Sequence, residues 1–289
     1  MKRLWLGLLA LLLVAPQPAL AQARNLEPAG DWSLRQDSEY CRLSRTFGSG
    51  SRQVALYLYS YGPTGGYQVI LVGQGLPRNE NKARVANIAW GSIADAEPSM
   101  VINGRVGNQG SITFRTYPAQ AGGRFTWIWS GTSDNRTEVP FNPLAQRLAI
   151  STGELDPIEL PIGDMAQPLA QLANCEAALA ASWYLSVADP ATLTSQPELL
   201  NGYEVLRSLR WPATLLLNRQ SLLFQMRMAV DAQGQVQDCV LQAPLIDQQD
   251  ARLLCRDFTR VARFTPATGQ DGQPVAALFR ASTLLFLFD

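Results

Sequence analysis

The 289-residue chain contains no histidine, and that absence narrows its chemistry before any fold is considered. Histidine is the side chain whose unperturbed charge change falls near neutral pH, so Ser-His-Asp and Cys-His machinery and histidine-ligated metal sites are excluded. No Gly-x-Ser-x-Gly elbow, phosphate-binding glycine loop or dinucleotide fingerprint occurs either. What remains for catalysis is a carboxylate pair or a Ser-Lys arrangement. Asp37 with Glu39, Asp95 with Glu97, and Asp247 with Asp250 have the spacing of paired acids, but turns, helix caps and solvated surface account for carboxylates in such positions. Lys82 is the single lysine after residue 2, and it follows the run Asn79-Glu80-Asn81, a poor setting for a desolvated catalytic amine. The expectation is a protein that is not an enzyme and uses neither cofactor nor metal.

The first residues carry an address. Lys2 and Arg3 precede an uninterrupted apolar run, Leu4 to Ala15, and Ala19-Leu20-Ala21 supplies small residues ahead of Gln22. That run is too short to span a bilayer as a helix, so residues 1–21 read as a cleaved signal peptide. No cysteine follows the cleavage position, so a lipid anchor is not expected. Taking Lys2 and Arg3 from the 24 basic residues leaves 22 against 24 acidic ones, a balance without the clustered positive charge that nucleic acid requires. Export favours disulfides over free thiols at Cys41, Cys175, Cys239 and Cys255, with buried thiols as the alternative.

The elements that must position these residues fall into two parts joined by a short segment. Residues 22–185 read mostly as antiparallel sheet. Gln53 to Tyr61 and Tyr67 to Gly73 are apolar and aromatic runs joined by Gly62-Pro63-Thr64-Gly65-Gly66, and further strand-like runs cover Arg84 to Trp90, Ser99 to Ile102, Ser111 to Tyr117 and Arg124 to Ser130, as in a sandwich or open barrel. Met165, Leu169, Leu172, Cys175 and Leu179 then switch to helical spacing, one apolar face that lies against the sheet. Residues 186–210 form a linker with a helix expected over Glu198 to Leu209.

Residues 211–289 read as β-β-α-β. An apolar strand, Leu222 to Val230, meets the turn Asp231-Ala232-Gln233-Gly234, and Gln235 to Gln242 returns as its hairpin partner. Leu253, Leu254, Phe258 and Val261 recur at helical spacing behind Asp247 as N-cap and Asp250 in the first turn. Pro274 to Phe288 closes the chain as a long apolar strand. The whole is therefore α+β.

Val230-Asp231-x-x-Gly234-x-Val236, the run Ala262-Arg263-Phe264-Thr265-Pro266-Ala267 and Asp271-Gly272-x-Pro274-Val275 resemble the TonB C-terminal domain family, over roughly residues 200–289. Ala243-Pro244-Leu245 stands where the family usually has a Ser-Ser-Gly turn, and Trp211-Pro212 where it has Tyr-Pro. The chain is also similar to a variant of that domain with one cysteine late in the second strand and one in the helix, which implies pairing of Cys239 with Cys255. Cys41 with Cys175 then follows by elimination. Trp32-Ser-Leu, the run from Cys41 to Gly48 and Asn174-Cys175 resemble uncharacterised secreted bacterial proteins with the same pairing of domains, a likeness that implies no activity.

The resemblance implies a function for the last strand, Ala281, Ser282, Thr283, Leu284, Leu285, Phe286, Leu287 and Phe288. In TonB domains this strand receives an extended peptide, the TonB box of an outer-membrane transporter, by strand addition. A run so rich in Leu and Phe also suits a strand covered on both faces, and self-pairing into a dimer would satisfy both demands. The leading expectation is a periplasmic, non-catalytic protein of Gram-negative type that binds an extended peptide or protein partner in TonB-dependent transport. The alternatives are a structural or dimerising envelope protein, and a carboxylate-based glycan hydrolase using Tyr117, Phe125, Trp127 and Trp129 as a sugar platform.

Overall fold

The computed structural model describes residues 24–63, 66–78, 82–118, 126–127, 138–153, 156–183, 187–213, 222–242 and 247–285. Residues 1–21, read from the sequence as a signal peptide, fall outside them. The first strands are β1 (Arg24–Asn25), β2 (Ser33–Gln36), β3 (Cys41–Phe47), β4 (Val54–Ser60), β5 (Tyr67–Gly73), β6 (Lys82–Trp90), β7 (Glu97–Val106) and β8 (Gln109–Pro118). After the two-residue β9 (Thr126–Trp127) come β10 (Glu138–Phe141), β11 (Leu148–Ser151) and β12 (Ile158–Leu160). All but β9 join one eleven-stranded sheet in the order β1-β12-β11-β6-β7-β8-β5-β4-β3-β2, with β10 beside β8. Its ladders are antiparallel except at β1 with β12 and β10 with β8. The strands expected to form a sandwich or open barrel thus lie in one continuous sheet.

Alternation along these strands sends Leu43, Phe47, Leu56, Leu58, Val69, Leu71, Ile112 and Phe114 to a single buried face. Helix α1 (Ala166–Trp183) covers it with Leu172, Cys175, Leu179 and Trp183, as the helical spacing predicts. The Cys41–Cys175 disulfide fastens the helix to β3.

The second half continues with β13 (Leu193–Ser195), β14 (Glu198–Leu199) and α2 (Gly202–Ser208), then the hairpin β15 (Leu222–Val230) and β16 (Val236–Gln242). Helix α3 (Gln248–Val261), the short β17 (Phe264–Thr265), β18 (Ala267–Gly269) and β19 (Pro274–Val275), and finally β20 (Ala277–Leu285) complete it. The sheet order here is β16-β15-β20-β9, with smaller sheets β13-β18-β19 and β14-β17. The helix expected over Glu198 to Leu209 begins later. Asn201 accepts a hydrogen bond from the Arg263 N–H and donates to the Val261 carbonyl, and Leu200 N–H bonds the Arg263 carbonyl, so Glu198–Leu199 is drawn out as a strand against β17.

Local chemistry explains the hairpin and the helix start. Asp231 Oδ1 accepts from the N–H groups of Gln233 and Gln235, and Gly234, at φ +77°, passes so close to the Phe264 carbonyl that a Cβ would lie 2.3 Å from it. Asp247 caps α3 by accepting from Gln249 N–H at 2.7 Å. Phe224, Met226, Met228, Val230 and Phe279 of the sheet, with Leu254 and Phe258 of α3 and Val205 of α2, form a second core. The Cys239–Cys255 disulfide ties β16 to α3 across its edge. One acid lies buried beside it: Asp257 takes hydrogen bonds from Arg210 Nε at 2.9 Å, Nη2 at 2.6 Å and backbone N–H at 3.1 Å.

Candidate functional site

The face of the C-terminal sheet turned away from α3 is where the two halves meet. In the register of β15 with its neighbours, Gln225 lies between Gln242 and Ser282, Arg227 opposes Arg280, and Ala229 opposes Leu278. Strand alternation puts Leu223, Gln225 and Arg227 on this face, and all three are buried. Leu223 packs on Ile102 of β7, and Leu278 belongs to the core of the large sheet.

Two arginines directly opposite on one face repel each other unless each is answered. Arg227 is answered by Glu39, with Nη2 3.1 and 3.2 Å from its two carboxylate oxygens, while Asp238 stands 3.7 Å away and the guanidinium lies 4.7 Å from the centre of the Trp183 ring. Gln242 Nε2 reaches the Glu39 carbonyl at 3.1 Å and its carboxylate at 3.2 Å, and Trp183 Nε1 donates to the Ser38 carbonyl. Arg280 Nη2 donates to the Pro63 carbonyl at 2.5 Å. Glu176 of α1 faces the same guanidinium and the Ser60 hydroxyl, with its pKa raised chiefly by burial. Contact is tight at Gly62, φ +108°, where a Cβ would fall 2.8 Å from both the Arg280 guanidinium and the Trp183 ring. The seam is largely polar, buried and closely fitted.

The edge of the same sheet carries the strand singled out in the sequence. Ala281, Ser282, Thr283, Leu284 and Leu285 lie in β20, whereas Phe286, Leu287 and Phe288 fall outside the described residues. On one side β20 is laddered to β15 from Ala277↔Val230 to Leu285↔Leu222. On the other it pairs in parallel with β9, Ala281↔Thr126 and Ser282↔Trp127. The run Arg124 to Ser130, read as a strand of the N-terminal sheet, is described only at these two residues, and they belong to the C-terminal sheet. Tyr117, on β8, is in the large sheet instead. Phe125 and Trp129 lie outside the described residues.

The remaining candidates are accounted for locally. Asp37 accepts from Ser38 N–H in a turn, Asp95 sits in a 3-10 turn capped by Ser92, Glu97 opens β7 exposed, and Asp250 lies in the first turn of α3. Glu39 departs from the surface reading because it is the acid of the seam. Lys82 opens β6 half-buried. Among the described residues, no three His, Cys, Asp or Glu side chains gather as a metal-binding group. The seam residues Arg227, Arg280, Glu176 and Gln242 had no sequence signal beyond a polar residue interrupting an apolar run.

Fold and seam together define an α+β protein, mostly sheet, whose two disulfides suit an oxidising, extracytoplasmic compartment. Among the described residues no helix is long and apolar enough to cross a membrane. Comparison with protein-family models, with curated proteins and with solved structures finds no match for the chain.

Proposed function

We propose that this is an exported, non-catalytic binding protein of the bacterial envelope, in which a TonB-like C-terminal domain receives an extended peptide or protein segment on β20. The observation that carries the reading is the two-sided pairing of that strand: β15 fills one side, and the other side takes an extended segment in register at Ala281 and Ser282. Backbone hydrogen bonds then supply affinity and alternate side chains supply selectivity. The sequence likeness to TonB domains supports the TonB box of an outer-membrane transporter as the partner class, and the signal-peptide reading of residues 1–21 supports a periplasmic mature protein. The segment between the two parts is tied down by β13, β14 and α2, which suits a receptor of fixed geometry rather than a long reaching arm.

The test uses transporter-derived TonB-box peptides as probes of the intact chain and of Leu285→Pro, which takes one amide out of the last strand. The parent chain is expected to bind such a peptide and the variant, with folding checked by circular dichroism, to lose it. A folded variant that binds as well as the parent contradicts strand addition.

A further inference from the structure

We propose that the chain carries its own competitor for the β20 edge: Thr126–Trp127 occupies the place an incoming strand would take, and a partner binds by replacing it. The inference rests on the peptide-binding reading above and adds a regulatory contact to it.

Three observations point the same way. First, β9 comes from the other half of the chain. The chain leaves β8 at Pro118 and returns as β10 in parallel with the last residues of β8, Glu138↔Arg115 to Phe141↔Pro118, so β9 lies on an excursion whose ends are held together on the large sheet. It reaches across to the C-terminal sheet and has no other strand partner among the described residues. Second, the contact is small. Two residues of β9 pair with β20, while β15 pairs with it along its full nine residues, and parallel pairing is the weaker kind per residue. An occupant held this way can be exchanged without dismantling the sheet. Third, the sequence around it, Arg124-Phe125-Thr126-Trp127-Ile128-Trp129, alternates aromatics with other side chains, the pattern of a strand that offers one face to a surface. The edge is thereby protected from pairing with other chains, the hazard that an open apolar strand presents.

The experiment compares the intact chain with Thr126→Pro/Trp127→Pro, which removes both β9 amides. Hydrogen exchange is followed across 278–285, and binding is measured with a fluorescent synthetic peptide of residues 122–131 and, separately, with a TonB-box peptide. Self-occupation predicts faster exchange at the β20 edge in the variant and about ten-fold tighter binding of the 122–131 peptide, because the competent state is no longer scarce. Unchanged exchange together with unchanged peptide affinity overturns it. A TonB-box peptide that binds both chains equally also overturns it while sustaining the partner reading. If the 122–131 peptide fills the vacated edge and the TonB-box peptide binds neither chain, self-occupation stands and the partner reading fails. Should the double-proline variant not fold, a benzophenone amino acid in place of Trp127 in the otherwise intact chain must crosslink to 278–285 on illumination, and absence of that crosslink overturns the proposal.

Discussion

The two faces of β15 are both buried and chemically opposite. Phe224, Met226, Met228 and Val230 point to α3, and Leu223, Gln225 and Arg227 point to the large sheet; every one of these side chains is buried. On the first face burial is itself the driving force, since each apolar group gains on leaving water. On the second face burial is a cost that only matched partners offset. A desolvated ion pair such as Arg227 with Glu39 roughly breaks even, yet an unpaired Arg227 in the same place is strongly unfavourable. The helix-covered face therefore holds the C-terminal sheet together, and the polar face dictates how that sheet sits on the rest of the molecule.

The contrast is broken most severely at Phe224, wholly buried beside Trp211 and the α3 core. Phe224→Ala removes a large apolar group and leaves a cavity, for an expected loss of about 3–5 kcal/mol. Urea unfolding followed by circular dichroism measures it. A loss below about 1 kcal/mol would mean that this face is not the one carrying the sheet's stability.

The apolar face was legible in the sequence and the polar face was not, for a physical reason. Apolar periodicity announces burial directly, which is why the hairpin, α3 with its Asp247 cap, and the apolar stripe of α1 are where the residues placed them. A polar residue within a strand announces nothing about what covers it. Gln225 and Arg227 stand in an apolar strand with no local sign of what covers them, and Glu39 read as a turn, cap or surface carboxylate because its partner lies 188 positions along the chain. Asp257 likewise stands between Arg256 and Phe258 with nothing local to mark it, and only the fold brings Arg210 to it. The same limit applies to β9, whose strand character was visible but whose choice of sheet is a long-range pairing that no local pattern encodes. At Glu198, propensity favoured helix and a tertiary hydrogen bond through Asn201 won.

A smaller effect sharpens the comparison at the seam. Arg227→Met leaves Glu39 partly buried without its cation, and Glu39→Met leaves Arg227 with only the longer contact to the exposed Asp238, so each is expected to lose about 2 kcal/mol. The double variant should be no less stable than either single one, because no charge is left stranded. Double-mutant-cycle analysis of urea midpoints reads the coupling. Strictly additive losses would mean that the two side chains act separately and that the seam is not held by their pairing.

Acid and base titration separates the halves by sign. Hydrogen bonds from Arg210 hold the Asp257 carboxyl down at about 2, below its ordinary 3.8, so its stabilisation is complete above pH 3.8 and is lost as the pH falls through 2. Glu176 is shifted the other way, mainly by burial against the large sheet, with its pKa raised from 4.5. A raised folded-state pKa gives stability that is full below 4.5 and fades as the pH rises through the folded value, so this carboxyl favours the folded state at the acidic end. Asp257→Asn should accordingly flatten the decline in stability between pH 4 and 2, and Glu176→Gln should flatten the decline on the neutral side, where the half-buried carboxyl must ionise. Urea midpoints across a pH series test both. If the parent chain instead gained stability over Glu176→Gln as pH rose, Arg280 would be contributing more to the ionised Glu176 than burial takes away, and the seam would be an ion-paired surface at both of its arginines.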